Sequence, residues 1–392
     1  MTPPLSATLT SIPDSAVSSI LSAAAAAAWG DVIPMAGGEP TFAVIEGAFA
    51  AFRSFDERML TKYSPFAGYP ELLDLLRTKL ATVNHVTANL NEIIVVPGGA
   101  AGLWGAISAV ADPGTEIVVT DPCWEHYHSI VRMAGARPVA WSLFNGSFNG
   151  PVDFAALESV VTPRTRGVLI NTPLNPSGYV FSQSDLQILC EFCERRNIHL
   201  ICDEEYETFV YGGRRHVSPR TISPAVISLH SMSKGFALTG IRIGYVVARP
   251  EVVALIRRAG LYSYMYSSST AQCLAIAVLR QNYLHYLEAV RQDYERRATT
   301  LTNLMTAVDG IDAVPPMGGV YLFPRFPLIE GRNAAHALIR DQHLLCVPGE
   351  VAGPSSIDRV RFFFGVPEHF FAQAAERVAA TVTALSVGDI GR

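Results

Sequence analysis

The sequence predicts an α/β protein: a mostly parallel sheet in a large domain, with a smaller α+β domain beside it. Three observations predict this. Six short apolar runs, Ile93–Val96, Ile117–Thr120, Gly167–Asn171, Leu200–Asp203, Val226–His230 and Ile243–Ala248, are near-continuously apolar, as strands covered on both faces are. Helical patterns such as Ser182–Arg196 lie between several of them, the alternation that builds parallel sheets. From about Ala271 to Met305 the pattern becomes one long helix, followed by the strand-like pieces PPMGGVYLFPRF and RVRFFFGV. Residues 46–285 are expected to form the large domain. Residues 1–45 and 286–392 are expected to form the small one, with an N-terminal arm.

Taken in chain order, the N-terminal stretch has no basic region before Arg53, so no targeting leader is expected. The alanine run Ala23–Ala28 is too short and too weakly apolar to span a bilayer and reads as a helix by propensity. Cys190 and Cys193 form a C-x-x-C inside the helical stretch ILCEFCERR. With no second Cys/His pair at zinc spacing, they read as small apolar residues on one helical face, and no metal is expected. Six cysteines fit a reduced, cytoplasmic setting. Apolar residues make up 49% of the 392, enough for a sizeable core, and the net charge is −5 with no basic stretch. A nucleic-acid partner and a membrane partner are therefore not expected.

In a parallel sheet, ligands gather at the carboxyl ends of the strands. Here those ends carry PGGAAGLW, DPCWEHY, NTPLNPSG, DEEYETF and HSMSKGFALTGIRIGY. Only three of the 30 basic residues are lysines, Lys62, Lys79 and Lys234. Lys234 follows an apolar strand, where partial desolvation lowers an amine's pKa and suits it to Schiff-base chemistry. Asp203 ends the strand HLICD. A carboxylate there is costly unless it meets a cation, and a protonated cofactor ring is such a partner; a helix cap or local ion pair is the plain alternative. The turn at Gly98, Gly99 and Ala100 offers backbone N–H groups at a helix start, and with Ser231, Ser233 and Arg242 it could hold a phosphate. Trp124 could stack on a flat cofactor or serve as core. Arg361, among aromatics, needs a carboxylate that a substrate could supply; Arg359 would share its face in a strand, so the two are barely separable.

With these residues in this order, the chain resembles the class I/II aminotransferases, the fold-type I enzymes that use pyridoxal 5'-phosphate (PLP). S-x-S-K followed by G-x-R-x-G-Y, and N-P-x-G followed by D-x-x-Y, carry the resemblance, which runs from GGEP near residue 38 to RFFFG near residue 362. It implies a cofactor, PLP, and a reaction in which the α-amino group of an L-amino acid passes to a 2-oxo acid through aldimine and pyridoxamine forms. By this likeness Lys234 would form the Schiff base and move the Cα proton, and Asp203 would keep the ring nitrogen protonated. Asn175 and Tyr206 would bond the ring's phenolic oxygen, and Trp124 would stack on the ring. Gly99, Ala100, Ser231 and Arg242 would bind the phosphate, with Tyr63 reaching it from the partner subunit of a homodimer that shares its active sites. Arg361 would grip the substrate carboxylate, assisted by Asn175 and the backbone at Gly38.

There are departures. Glu125 and His126 follow Trp124 where a proline is common, and an acid there could serve a side-chain reaction, with loop variation as the plain reading. Arg77 is the nearest cation to the arginine usual after PEL, and Ala352 stands where an aromatic is usual. The segment LYSYMYSSST, with Tyr262, Tyr264 and Tyr266, lacks the arginine that aspartate-type members use for a second carboxylate. The alternatives to transamination are a PLP-dependent lyase, cyclase or β/γ-replacement enzyme in specialised metabolism and a non-catalytic sensor on the same fold.

Overall fold

A computed structural model describes residues 3–27, 29–146, 148 and 150–388 of the chain. Its centre is a seven-stranded sheet of β1 (Ile93–Val96), β2 (Glu116–Asp121), β3 (Arg137–Ser142), β4 (Thr165–Asn171), β5 (His199–Asp203), β6 (Ile227–Ser231) and β7 (Gly244–Val247). The spatial order is β1-β7-β6-β5-β4-β2-β3. All neighbouring pairs are parallel except the two made by β7, which runs antiparallel between β1 and β6.

The strands form where they do because both faces are covered. Successive residues point to opposite sides. On one face Ile117, Val119, Leu169, Ile201 and Leu229 pack with Leu103 and Ile107 of a helix at 99–110 and Ile256 of a helix at 250–261. On the other, Val118, Val168, Ile170 and Cys202 pack with Leu186, Leu189 and Cys193 of the helix Gln183–Arg196. That helix opens on a capping box of Ser182 and Asp185 and closes on Asn197 in the left-handed conformation.

A second core gathers the long helix Tyr283–Thr306, helices 331–342 and 369–388, and a three-stranded antiparallel sheet of Val347–Pro348, Val360–Phe363 and Tyr321–Leu322. The N-terminal residues Ile33 and Met35 belong to this core, and Ile33–Pro34 pairs in parallel with Leu344–Leu345.

Two expectations change. The stretch 271–305 is two helices, Ser269–Leu279 and Tyr283–Thr306, broken at Arg280–Asn282. Residues 271–279 are buried on every side, while the second helix buries only a stripe, which starts in the same core at Leu287 and passes into the second core from Val290 on. The strand β3 was not expected. Its sequence RPVAWS is only partly buried, as suits the sheet's edge, and Pro138 is tolerated there.

Candidate active site

The carboxyl ends of the strands and the second lobe enclose a cavity of about 230 Å³, lined among others by Gly38, Trp124, Tyr127, Asn175, Asp203, Tyr206, Lys234 and Arg361. Asp203 is the last residue of β5 and only 8% exposed. Its Oδ2 accepts the Tyr127 hydroxyl at 2.7 Å and its Oδ1 the Glu205 amide at 3.0 Å. Burial, with the neighbouring Glu205 charge adding to it, pushes the Asp203 carboxyl up to about 7. The same burial, with Asp203 beside it, holds the Tyr127 phenol protonated far above its ordinary range.

Lys234 follows the end of β6, and its Nζ donates to the Gly38 carbonyl at 2.8 Å. Gly38 is a glycine for a steric reason: a Cβ there would lie 2.3 Å from the Tyr321 hydroxyl oxygen. Asn175 is buried. Its amide nitrogen reaches the Tyr206 hydroxyl at 3.4 Å, and its Oδ1 accepts Arg361 Nη1 at 3.2 Å. Arg361, 7% exposed, also donates Nη2 to the Ala36 carbonyl at 3.0 Å and lies over the Tyr321 ring at 4.3 Å. Among the described residues its buried Nε has no partner, which leaves one donor of the guanidinium for an incoming acceptor.

The glycine turn, Ser231 and Arg242 converge as well. Gly98 has φ +85°, and a Cβ on it would lie 2.5 Å from Arg242 Nη2. A Cβ on Gly99 would lie 3.9 Å from that of Ser231. Gly99 and Ala100 form the amino end of the helix Gly99–Val110, so free N–H groups, a serine and a guanidinium share one corner. Trp124 lines the cavity, stacked on His126 at 4.6 Å and edge-on to Tyr127.

Tyr63 is not brought into this cavity. It is 76% exposed and stacks on Tyr266. Arg359 separates clearly from Arg361, because the strand begins at Val360. Its Nη1 donates to the Phe323 carbonyl at 2.9 Å, and it lies over the Phe148 ring at 4.1 Å. Arg77 pairs with Asp74 at the surface. Ala352 packs with Phe148 and Phe323, and its carbonyl accepts the Cys123 amide at 2.9 Å. The C-x-x-C thiols are buried and free, Cys190 being pushed up to about 12 by burial.

Glu125 is not idle. Its Oε1 accepts Ser15 Oγ at 2.8 Å and its Oε2 the Ala16 amide at 3.4 Å. Sequence reasoning did not find Tyr127, Tyr321, Asn171, Glu205, Ser15, Val17 or Ser18, all of which line the cavity. Tyr127 had a signal, standing in the same DPCWEHY loop as Trp124. Asn171 and Glu205 had one too, standing in the strand-end segments NTPLNPSG and DEEYETF; Tyr321, Ser15, Val17 and Ser18 are brought in by the fold alone.

A strand-end lysine, a buried carboxylate and an arginine with a free donor in one cavity make up an enzyme's active site. The sequence matches the family described as aminotransferase class I and II over residues 30–378. The chain belongs to that family and is an enzyme that transfers amino groups. It is 31% identical to an aspartate aminotransferase of Rhizobium meliloti, with 91% of this chain and 90% of the relative covered. It is 30% identical to a probable aspartate/prephenate aminotransferase of Aquifex aeolicus, covering 89% and 90%. The solved structure of the aspartate aminotransferase from Rhizobium meliloti superposes with a TM-score of 0.91 at 29% identity, over 97% of this chain and 99% of that one.

Proposed function

We propose that the protein is a PLP-dependent aminotransferase that moves the α-amino group of an L-amino acid to a 2-oxo acid. It works as a homodimer in the cytoplasm, a reading that the six free thiols favour. The observation that carries the proposal is the convergence of Lys234, Asp203 and Arg361 on one cavity.

The residues fit the cofactor on three counts. The corner of Gly98, Gly99, Ser231 and Arg242 suits a phosphate: a Cβ at Gly98 would fill it, and Arg242 supplies a fixed cation. Among the described residues no cation pairs with the buried acid Asp203, so a protonated ring nitrogen would bring its ionisation back to the ordinary range. Trp124 offers a face for stacking. What PLP supplies, when bound, is an aldehyde to hold the amino group and an electron-poor ring to accept the electron pair of a broken Cα–H bond.

The chain's own residues do the rest. Lys234 Nζ, released from the Gly38 carbonyl, takes the proton from the substrate Cα and returns it on the far side of the transfer. Asn175 and Tyr206 donate to the phenolic oxygen, favouring its anionic form. Arg361 holds the α-carboxylate with its free Nε and a neighbouring donor, which orients the Cα–H bond toward Lys234. Tyr63, exposed here, reaches the partner's phosphate corner in the dimer.

The test is a half-reaction. Purified holoenzyme is mixed with L-amino acids and no acceptor. One equivalent of 2-oxo acid per site, with loss of the cofactor's visible band, is the expected result. Many turnovers with the band regained would move the enzyme to the lyase or replacement class. Lys234→Ala should abolish both the band and the product, and normal turnover by that variant would overturn the assignment.

A further inference from the structure

The helix α1 (Ala16–Ala27) lies over the outer end of the cavity, to which Ser15, Val17 and Ser18 contribute. It is a weakly held element. Only Ala24 is buried, with Val17 and Ile20 partly so, against Ala36, Leu345 and Val347 of the second lobe. Its first turn carries no acid, so nothing on the helix itself offsets the positive amino end. Glu125 supplies that charge from across the cavity, through the bonds to Ser15 Oγ and the Ala16 amide. Glu125 belongs to the sheet lobe and α1 rides on the other, so this contact spans the cavity mouth.

The same end of the cavity is poor in cations. Among the described residues that line it, Lys234 and Arg361 are the only lysine and arginine. Lys234 is committed to Gly38, and Arg361 is held by Asn175 and Ala36 with its free Nε inside. His126 also faces this space, stacked on Trp124 with Nδ1 3.4 Å from Glu125; burial lowers its pKa, against the pull of the Glu125 charge and with the help of Arg361. A second carboxylate on a substrate would therefore meet the Glu125 charge with no further cation of this subunit to receive it, and the segment LYSYMYSSST holds no arginine to supply one across a dimer.

We propose that Glu125 is a positioning and specificity-determining residue: it ties the amino end of α1 across the cavity mouth and makes the enzyme select amino acids with neutral side chains over those with a side-chain carboxylate. This rests on the aminotransferase reading and names its substrate class. It separates this chain from the activity that its aspartate aminotransferase relatives are named for.

The experiment uses holoenzyme, L-aspartate and L-glutamate as acidic donors, and L-leucine, L-phenylalanine and L-glutamine as neutral ones. Wild-type kcat/KM should be at least about tenfold higher for the best neutral donor than for either acid. Glu125→Gln keeps an acceptor for Ser15 and removes the charge. It should narrow that ratio about tenfold while hydrogen exchange of the peptide 15–27 rises less than in Glu125→Ala, because the Ser15 hydroxyl keeps its acceptor while the helix end loses the charge. Glu125→Ala should speed exchange in that peptide and raise KM for all donors more than it lowers kcat. Ser15→Ala, on the other side of the contact, should speed exchange in the same way. An enzyme that prefers the acids, a ratio unmoved by Glu125→Gln, or exchange unmoved by both Glu125→Ala and Ser15→Ala would overturn the proposal. If no donor of either class yields 2-oxo acid, it is the aminotransferase reading that fails.

Discussion

Replacing Asp203 by Asn should make the cofactor-free protein more stable at alkaline pH while it cripples the enzyme. The carboxyl is buried at the end of β5 beside Glu204 and Glu205, and its pKa stands at about 7 in the fold against an ordinary 3.8. The sign follows from linkage: the folded state prefers the protonated acid, so stability is full below about pH 3.8 and is lost as pH rises toward about 7. Applied to these two values, the withheld stability is on the order of 4 kcal/mol at pH 8 and about 1.5 kcal/mol at pH 5. Asn keeps an acceptor for the Tyr127 hydroxyl and carries no charge. Urea unfolding of both apoproteins should therefore show the variant gaining about 2–3 kcal/mol on wild type between pH 5 and pH 8. In the holoenzyme the same change should lower kcat by roughly a hundredfold or more, because a buried charge opposite the ring nitrogen is lost. A stability difference independent of pH would refute the claim that Asp203 is held against its ionised form. An unchanged kcat would refute its role.

Three further outcomes follow from other contacts. Tyr127→Phe removes a buried hydrogen bond to a carboxylate, which should cost about 1.5–3 kcal/mol by denaturation and move the acid limb of the half-reaction's pH profile upward, since that bond lowers the Asp203 pKa. Arg361→Lys loses the planar fork between Asn175 and the substrate, and kcat/KM for every donor should fall about a hundredfold, most of it in KM. Glu116, with a side chain wholly buried at the start of β2, is bonded by Arg137, Arg164 and Thr162 and held at about 2. Its contribution is present above about pH 4.5 and lost as pH falls toward 2, so Glu116→Gln should destabilise at pH 7 by about 2 kcal/mol and have little effect near pH 2.

Much of the sheet was legible because its strands are buried on both faces, and burial writes itself as unbroken apolar runs. The strand β3 was not, since an edge needs less apolar surface and RPVAWS shows little. The break at Arg280–Asn282 was hidden because apolar spacing continues through it, and the core it faces stays the same as far as Leu287. Lys234, Asp203 and the glycine turn could be read because each stands at the end of a readable strand. Tyr321 and Ser15 could not, because their place in the cavity is set by long-range packing that leaves no local pattern. Arg359 and Arg361 share a sequence parity, and only the start of the strand at Val360 sends one guanidinium to Phe323 and the other to the cavity.

The bond from Arg361 to the Ala36 carbonyl joins residues 325 apart in sequence. At a synthesis rate of about 5–20 residues per second, Ala36 waits on the order of 15–65 s for its partner to be made. The strand Ile33–Pro34 waits almost as long for Leu344–Leu345. A nascent chain can thus close its central sheet, which ends at Val247, well before the grip for the substrate carboxylate exists. A chain that stopped between Val247 and Val290 would have its central sheet complete and no Arg361 to hold an amino acid, and Ile33 and Met35 would lack the core residues from Val290 onward that cover them.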